Sequence, residues 1–246
     1  AGRPAVPWDW SDTAKLNYGN RDVWRAQAEA MEFWIREHAV DGFRCDMAML
    51  VPIDFWNETA ARLRRVKPDL FLLAEAEETN LFEQGAFDAC YGWEIHHLMN
   101  DVARQRVRVT AMRDWLYADL SRYPRSAMRL AFTSNHDENS WAGSEFERMG
   151  DAARVMALLT FTLPKGMPLI YTGQEIGYDH RFGHDRIDCD AVAALGLGIV
   201  RVDECNVGGT HVSSTAIRRL IEAGEFSEAE RLLGHPIRIT ENKGTK

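Results

Sequence analysis

Five short apolar runs, separated by longer segments of helical periodicity, constrain the fold of this chain more than any other feature. The runs lie at 42–45, 70–74, 87–91, 129–133 and 167–171. The segments around them predict helices at about 20–39, from Pro52 to the break at Pro68, and at 94–105, 109–121 and 149–163. Strands that alternate with helices in this way predict an α/β fold built on a parallel sheet.

Polar and aromatic side chains stand where the five runs end. They are Asp46, Glu75, Tyr91 with Trp93, His136 with Asp137, and Gln174 with Glu175. The carboxyl ends of parallel strands share one edge of a sheet, and a (β/α) barrel places its chemistry at that edge. Two carboxylates that flank a glycosidic bond are the usual machinery of sugar hydrolysis. We therefore expect Asp46, Glu75 and Asp137 to converge at one end of the sheet.

Composition excludes several classes of function. The chain has 246 residues, of which 46% are apolar, and its net charge is −8. A packed core is expected from the apolar content. The acidic balance argues against nucleic acid or an anionic membrane as a partner, and no apolar run approaches the length of a membrane span.

The cysteines and the first residues bear on cofactors and location. The cysteines, Cys45, Cys90, Cys189 and Cys205, form no C-x-x-C pair and show no zinc-site spacing. The sequence therefore predicts no metal site and no cofactor, and scattered thiols favour a reducing cytoplasm. The chain begins AGRP, which resembles neither a signal peptide nor a translation start. We expect an interior cut, with which an export signal would be lost.

Three motifs resemble the α-amylase superfamily of retaining glycosidases over about residues 8–178. They are DGFRCD at 41–46, LAE at 73–75 and SNHDEN at 134–139, and MPLIYTGQE at 167–175 is similar to a fourth element of that family. The resemblance implies a partial (β/α)8 (TIM-type) barrel with strands four to eight only, followed by a small α/β C-terminal segment. It also implies hydrolysis of α-linked glucans or maltooligosaccharides with retention.

The resemblance assigns roles to the motif residues. Asp46 is the implied nucleophile, Glu75 the general acid/base and Asp137 a carboxylate that binds sugar hydroxyls and supports transition-state charge. The implied substrate-binding residues are Arg44, His136, Tyr91 and Trp93, and Trp93 serves equally well as a core residue. Chemistry alone does not choose among Glu75, Glu77 and Glu78, but Glu75 directly follows the apolar run.

Parts of the superfamily's pattern are absent from this chain. Members begin with three further strands, insert a calcium-binding subdomain and end in a β-sandwich. A five-stranded partial barrel exposes a sheet edge. We therefore expect weak or absent activity, with the pKa of Glu75 relaxing towards that of an exposed carboxyl.

A second resemblance, over about residues 176–240, is to bifunctional riboflavin kinase/FAD synthetases. It rests on the segments 176–186, 212–218 and 229–236, and it implies nucleotide binding by Ser213, Ser214, Thr215 and Arg218. A simple helix cap explains S-S-T equally well. The expected domains are 1–178 and 179–246, with a structural break between about 176 and 190, a strand at 199–202 and helices at 215–222 and 226–233. Three hypotheses remain: a glycosidase fragment, a nucleotide-binding or flavin-binding fragment, and a non-catalytic chimera.

Overall fold

The computed structural model of the chain describes residue 13, residues 15–181 and residues 204–237. These residues belong to two compact units, one within residues 1–186 and the other within 187–246. The strand expected at 199–202 lies outside the described residues, as does Cys189. No helix of the described ranges combines the length and apolar character that a membrane crossing requires.

The first unit alternates strands with helices along the chain. Its strands are β1 (Gly42–Cys45), β2 (Phe71–Ala74), β3 (Ala89–Tyr91), β4 (Met128–Ala131) and β5 (Gly166–Pro168). Its helices are α1 (Arg21–His38), α2 (Ile53–Val66), α3 (Trp93–Ala103), α4 (Thr110–Arg122), α5 (Glu145–Met149) and α6 (Ala153–Thr162). The five strands form one parallel sheet in the order β1-β2-β3-β4-β5. The α/β fold predicted from the sequence is confirmed.

Local signals account for the helix ends. The Asn20 side chain accepts a hydrogen bond from the Asp22 N–H and so caps α1, as N-cap residues do. The helix expected over 149–163 is present but begins only at Ala153. Gly150, with a φ of 55°, ends α5, and a short 3-10 turn over Gly150–Ala152 precedes α6. A glycine adopts this φ without the steric penalty that a side chain would bring.

Two apolar clusters pack the helices, one against the sheet and one against each other. One joins α2 to the sheet through Phe55, Leu63 and Leu72, all of which are buried. The other joins α3 to α6, with Met99 and Met156 among its members. Parallel strands that are covered in this way read as continuous apolar runs, which is why the sequence revealed them.

A buried ion pair lies between β4 and α4. The Arg129 Nε donates to Asp119 Oδ1 at 2.9 Å, and the Arg129 Nη1 donates to Cys90 Sγ at 2.7 Å. The guanidinium also lies 3.1 Å from the centre of the Tyr123 ring. Both charged side chains are buried, so each depends on the other for compensation of its charge.

The described cysteines fall into two groups. Cys45 and Cys90 are buried, and burial raises the pKa of each thiol to about 12. Cys205 is exposed. Buried thiols of this kind behave as small apolar side chains, as the sequence suggested for Cys45.

The second unit contains a hairpin and two helices. Strands β6 (Asn206–Val207) and β7 (Thr210–His211) pair antiparallel through a turn at Gly208 and Gly209, whose φ angles are 58° and 81°. Helices α7 (Ser214–Glu222) and α8 (Phe226–Leu233) follow, close to the predicted bounds. The hairpin was not predicted, because strands of two residues show no periodicity.

Candidate active site

The parallel sheet brings the strand-end residues to one edge. Asp46 directly follows β1, Glu75 directly follows β2 and Tyr91 ends β3. Asp137 follows the 132–135 loop after β4 and lies at the start of the helical segment that continues through Glu138–Ala142. The motif glycine has a packing role here, because a Cβ on Gly42 would lie 2.2 Å from the Phe71 carbonyl oxygen.

The Arg44 guanidinium connects three of the predicted site residues. Its Nε donates to the Tyr91 hydroxyl at 3.2 Å, and its Nη1 donates to Asp46 Oδ1. Its Nη2 lies 2.8 Å from Glu75 Oε1, as an ion pair rather than a hydrogen bond. Burial alone would lower the pKa of Arg44, but the hydroxyl and the two carboxylates outweigh burial and raise it. The cation therefore stays charged between the two candidate catalytic groups.

Glu75 and Asp46 have opposite surroundings. The Glu75 side chain is 6% exposed, whereas that of Asp46 is 74% exposed. Burial raises the pKa of Glu75, against a hydrogen bond that the Met47 N–H donates at 2.9 Å and the charge of Arg44. We expected the pKa of Glu75 to relax to that of an exposed carboxyl. That expectation is wrong, because the described residues bury Glu75.

Asp137 and His136 complete the edge. The His136 Nε2 lies 3.4 Å from Asp137 Oδ2. The charge of Asp137 acts to raise the pKa of Glu75 and, after burial, that of Tyr171. Tyr171 was not predicted as a site residue, although it lies in the last apolar run of the sequence. Its place beside Asp137 makes it a further candidate.

The other candidates in this region make packing contacts. Trp93 packs edge-on against Phe132 at 5.1 Å between ring centres and stacks on His97 at 5.9 Å. These contacts agree with the core interpretation that the sequence left open. Glu77 turns away from Arg44, and its Oε2 accepts from the Glu94 N–H at 2.8 Å.

A cavity lies beside the site. It measures about 600 Å³ and is lined by residues of the loops that follow Asp46 and Glu75, together with residues before α1. Tyr18, Met49 and Asn80 are among the lining residues. None of the three candidate catalytic carboxylates lines it. The three carboxylates therefore lie outside this cavity.

Comparisons with known proteins bear on the first unit. Residues 8–201 match the family described as Alpha amylase, catalytic domain. The chain belongs to this α-amylase family. The family match continues past residue 178 and covers part of the 176–240 segment that resembles FAD synthetases.

Individual members of the α-amylase family are similar at moderate identity. A cyclomaltodextrinase from a Bacillus species is 30% identical over 175 residues, which cover 70% of this chain and 31% of the relative. A maltogenic alpha-amylase from Bacillus acidopullulyticus is 30% identical over 175 residues, 68% of this chain and 29% of that protein. The crystal structure of an alpha-amylase from Lactobacillus plantarum superimposes with a TM-score of 0.64 at 29% identity, covering 73% of this chain and 45% of that one. The chain thus spans about a third of the length of these two curated relatives.

The described residues of the second unit, 204–237, lie beyond the α-amylase family match, which ends at residue 201. The Ser213 hydroxyl accepts from the Ala216 N–H at 3.2 Å, so it caps α7. Ser214 and Thr215 lie in the first turn of that helix, and Arg218 lies one turn on. Among the residues that the structure covers, no group of three or more His, Cys, Asp or Glu side chains could hold a metal ion.

Proposed function

We propose that the first unit is the catalytic part of a retaining glycoside hydrolase that acts on α-linked glucans. The observation that carries the proposal is the Arg44 bridge between an exposed Asp46 and a buried Glu75 with a raised pKa. Retaining hydrolysis needs one carboxylate that stays ionised and one carboxyl that can be protonated. Asp46 and Glu75 both contact Arg44, but Asp46 is exposed to water whereas Glu75 is buried. These different surroundings favour an ionised carboxylate at Asp46 and a protonated carboxyl at Glu75.

In the proposed mechanism Glu75 first donates its proton to the leaving glycosidic oxygen. Asp46 attacks the anomeric carbon, and a covalent glycosyl ester forms as the glycosidic bond breaks. The Glu75 carboxylate then takes a proton from water, which displaces Asp46 from the sugar. Asp137 and His136 bind hydroxyls of the same sugar and support the developing charge, and Tyr91 and Arg44 hold the two carboxylates in place.

The relatives suggest the substrates. Their names, cyclomaltodextrinase and maltogenic alpha-amylase, describe enzymes of α-glucan chemistry, so we propose maltooligosaccharides for this chain. A further relative from Bacillus subtilis, 29% identical over 181 residues, is an intracellular maltogenic amylase, and we propose a cytoplasmic location here too. Turnover is expected to be slow, because Asp46 and His136 are open to water, at 74% and 60% exposure.

The test is hydrolysis of 4-nitrophenyl α-maltoside and maltotriose by the chain and its variants. Asp46→Asn and Glu75→Gln should each lower kcat by about 100-fold or more. Asp41→Asn is the matched control, because Asp41 belongs to the same motif but pairs with Lys67 at the opposite end of β1. The first product anomer, followed by NMR, should be α. A β-anomer, or an Asp46→Asn variant that keeps the wild-type rate, contradicts the proposal.

For the second unit we propose binding of an adenine nucleotide or a flavin. The sequence resemblance and the Ser213 cap at the start of α7 support it, because helix N-termini offer N–H groups to phosphate. Titration with ATP and with FMN should show saturable binding that Arg218→Gln weakens and Arg219→Gln does not. Absence of binding would leave the non-catalytic interpretation for this unit.

A further inference from the structure

His96 lies on α3 with no exposed surface, and acceptor oxygens face both of its ring nitrogens. The Nδ1 atom lies 3.0 Å from the Phe132 carbonyl oxygen. The Nε2 atom lies 3.0 Å from Glu138 Oε2. The Phe132 ring stacks on the imidazole at 4.6 Å between centres, so the ring cannot turn away from either contact.

The two contacts fix the hydrogens on the ring. A carbonyl oxygen only accepts, so Nδ1 carries a hydrogen. The hydrogen bond to His96 lowers the pKa of Glu138, so this carboxylate is ionised and also only accepts. Nε2 therefore carries the hydrogen that Glu138 accepts, and the Asn100 amide nitrogen lies 3.2 Å from the same Nε2.

Other buried groups enclose the pair. The Asn100 amide donates to the His96 carbonyl at 2.9 Å, and its Oδ1 accepts from Arg148 Nη1 at 3.0 Å. The same Arg148 nitrogen lies 3.7 Å from Glu138 Oε2. Arg148 also donates to the carbonyls of Thr133, at 2.6 Å, and Gly143, at 3.0 Å. Helix α3 and helix α5 thus hold the segment after β4 from two sides.

Asp137 is the residue that this arrangement holds in place. On one side of it, the Asn135 side chain accepts from the Glu138 N–H at 2.8 Å. On the other side, the Glu138 carboxylate is fixed by His96. The backbone of Asp137 lies between two anchored neighbours, while its own side chain remains 39% exposed. A shift of His96 or Glu138 therefore moves Asp137.

We propose that His96 is a positioning residue, which acts through Glu138 to hold Asp137 in the geometry that hydrolysis needs. The role of Asp137 in this statement rests on the proposed function. A misplacement of about 1 Å in an active site can lower the rate on the order of 100-fold. Removal of the His96 ring should therefore lower kcat and leave KM nearly unchanged.

Kinetics test the link to Asp137. His96→Gln and Glu138→Gln should each lower kcat by about 10- to 100-fold. In an Asp137→Asn background each should lower kcat by less than about 2-fold, because the effects of substitutions that act through one group do not add. Glu147→Gln is the matched control, since Glu147 pairs with Arg181 and not with His96. Equal losses with and without Asp137, or a change in KM alone, overturn the proposal. If His96→Gln fails to fold, Glu138→Gln provides the same test, because it preserves the volume of the side chain.

Two NMR measurements do not require turnover. They therefore distinguish a failure of the positioning proposal from a failure of the proposed function. In ¹⁵N-histidine-labelled protein, the Nε2 of His96 should resonate as a nitrogen that carries a hydrogen, and an Nε2 without a hydrogen overturns the proposal. The Asp137 carboxyl ¹³C resonance should move in His96→Gln and Glu138→Gln, and it should stay in place in Glu147→Gln. An unmoved resonance overturns the proposal even in a chain that hydrolyses nothing.

Discussion

Glu75 and Glu77 lie two residues apart after β2, and burial raises the pKa of both. The alternation of side chains in an extended segment does not separate them, since residues two apart share a face. Their partners separate them: Glu75 meets Arg44, whereas Glu77 accepts from the first turn of α3. The same type of side chain therefore serves the candidate site in one case and the packing of helices in the other.

Glu77 should make the stability of the first unit depend on pH. Burial raises its pKa to about 7, against the Glu94 N–H bond, while the charges of Glu94, Arg129 and Arg122 also act on it. The folded chain then binds more protons than the unfolded chain between about pH 4.5 and 7, so stability falls as the pH rises through this range. Unfolding in urea at pH 5 and pH 8 should show a loss of about 1 kcal/mol, which Glu77→Gln removes.

The control for this prediction is Glu78→Gln, because Glu78 is the exposed neighbour. All eight tryptophans lie between residues 8 and 141, so tryptophan fluorescence follows the first unit alone. Equal pH dependence in wild type and Glu77→Gln would assign the effect to another group.

At the scale of elements, a single substitution in the buried Arg129–Asp119 ion pair between β4 and α4 should strongly lower the stability of the first unit. Arg129→Met leaves the buried Asp119 carboxylate uncompensated, and its free energy of unfolding should fall by about 3 kcal/mol or more. Arg113→Met breaks an exposed pair with Asp114 and should change the free energy of unfolding by less than about 1 kcal/mol. Urea unfolding measures both.

A double variant sharpens the test of this pair. Arg129→Met with Asp119→Leu removes both charges and should recover part of the lost stability. A double variant less stable than Arg129→Met alone would mean that Asp119 stabilises the unit without its partner.

The sequence specified those elements whose ends depend on local contacts. Helix α1 was expected at 20–39 and spans Arg21–His38, because Asn20 supplies its own cap. The contacts among His96, Glu138 and Arg148 were not predictable. They join α3, the segment after β4 and α5, and only the packed register brings these three segments together.

At the scale of the whole chain, the alternation of runs predicted the parallel sheet and the edge at which Asp46, Glu75 and Asp137 lie. It did not predict how deeply each of them is buried. Strand order decides whether a carboxylate following a strand has neighbours on both sides. Glu75 follows β2, which lies between β1 and β3, whereas Asp46 follows the edge strand β1 of the described sheet. Their different exposures follow from those positions.

Helix α6 presents an apolar face to solvent. Val155, Leu158 and Phe161 are 66%, 65% and 54% exposed, and contiguous apolar surface of this kind favours association. Leu158→Lys should lower concentration-dependent light scattering and dye binding by exposed apolar surface, and change the free energy of unfolding by no more than about 0.5 kcal/mol.

Leu159 on the same helix provides the contrast. It packs against the cluster that contains Met156, so Leu159→Lys should destabilise the first unit by about 2 kcal/mol or more. If the two lysine variants were equally stable, the solvent-exposed face of α6 would be wrongly assigned.

The burial of Cys45 and Cys90 allows a dye to be attached to the second unit alone. Thiolates, and not thiols, react with maleimides, so Cys45 and Cys90 with a pKa of about 12 stay unlabelled in the native chain, whereas exposed Cys205 reacts. In a Cys189→Ser chain, a dye attached in this way marks residues close to β6. Tryptophan emission and dye emission then follow the two units separately in one cuvette, and a difference between their melting curves would show that each unit folds by itself.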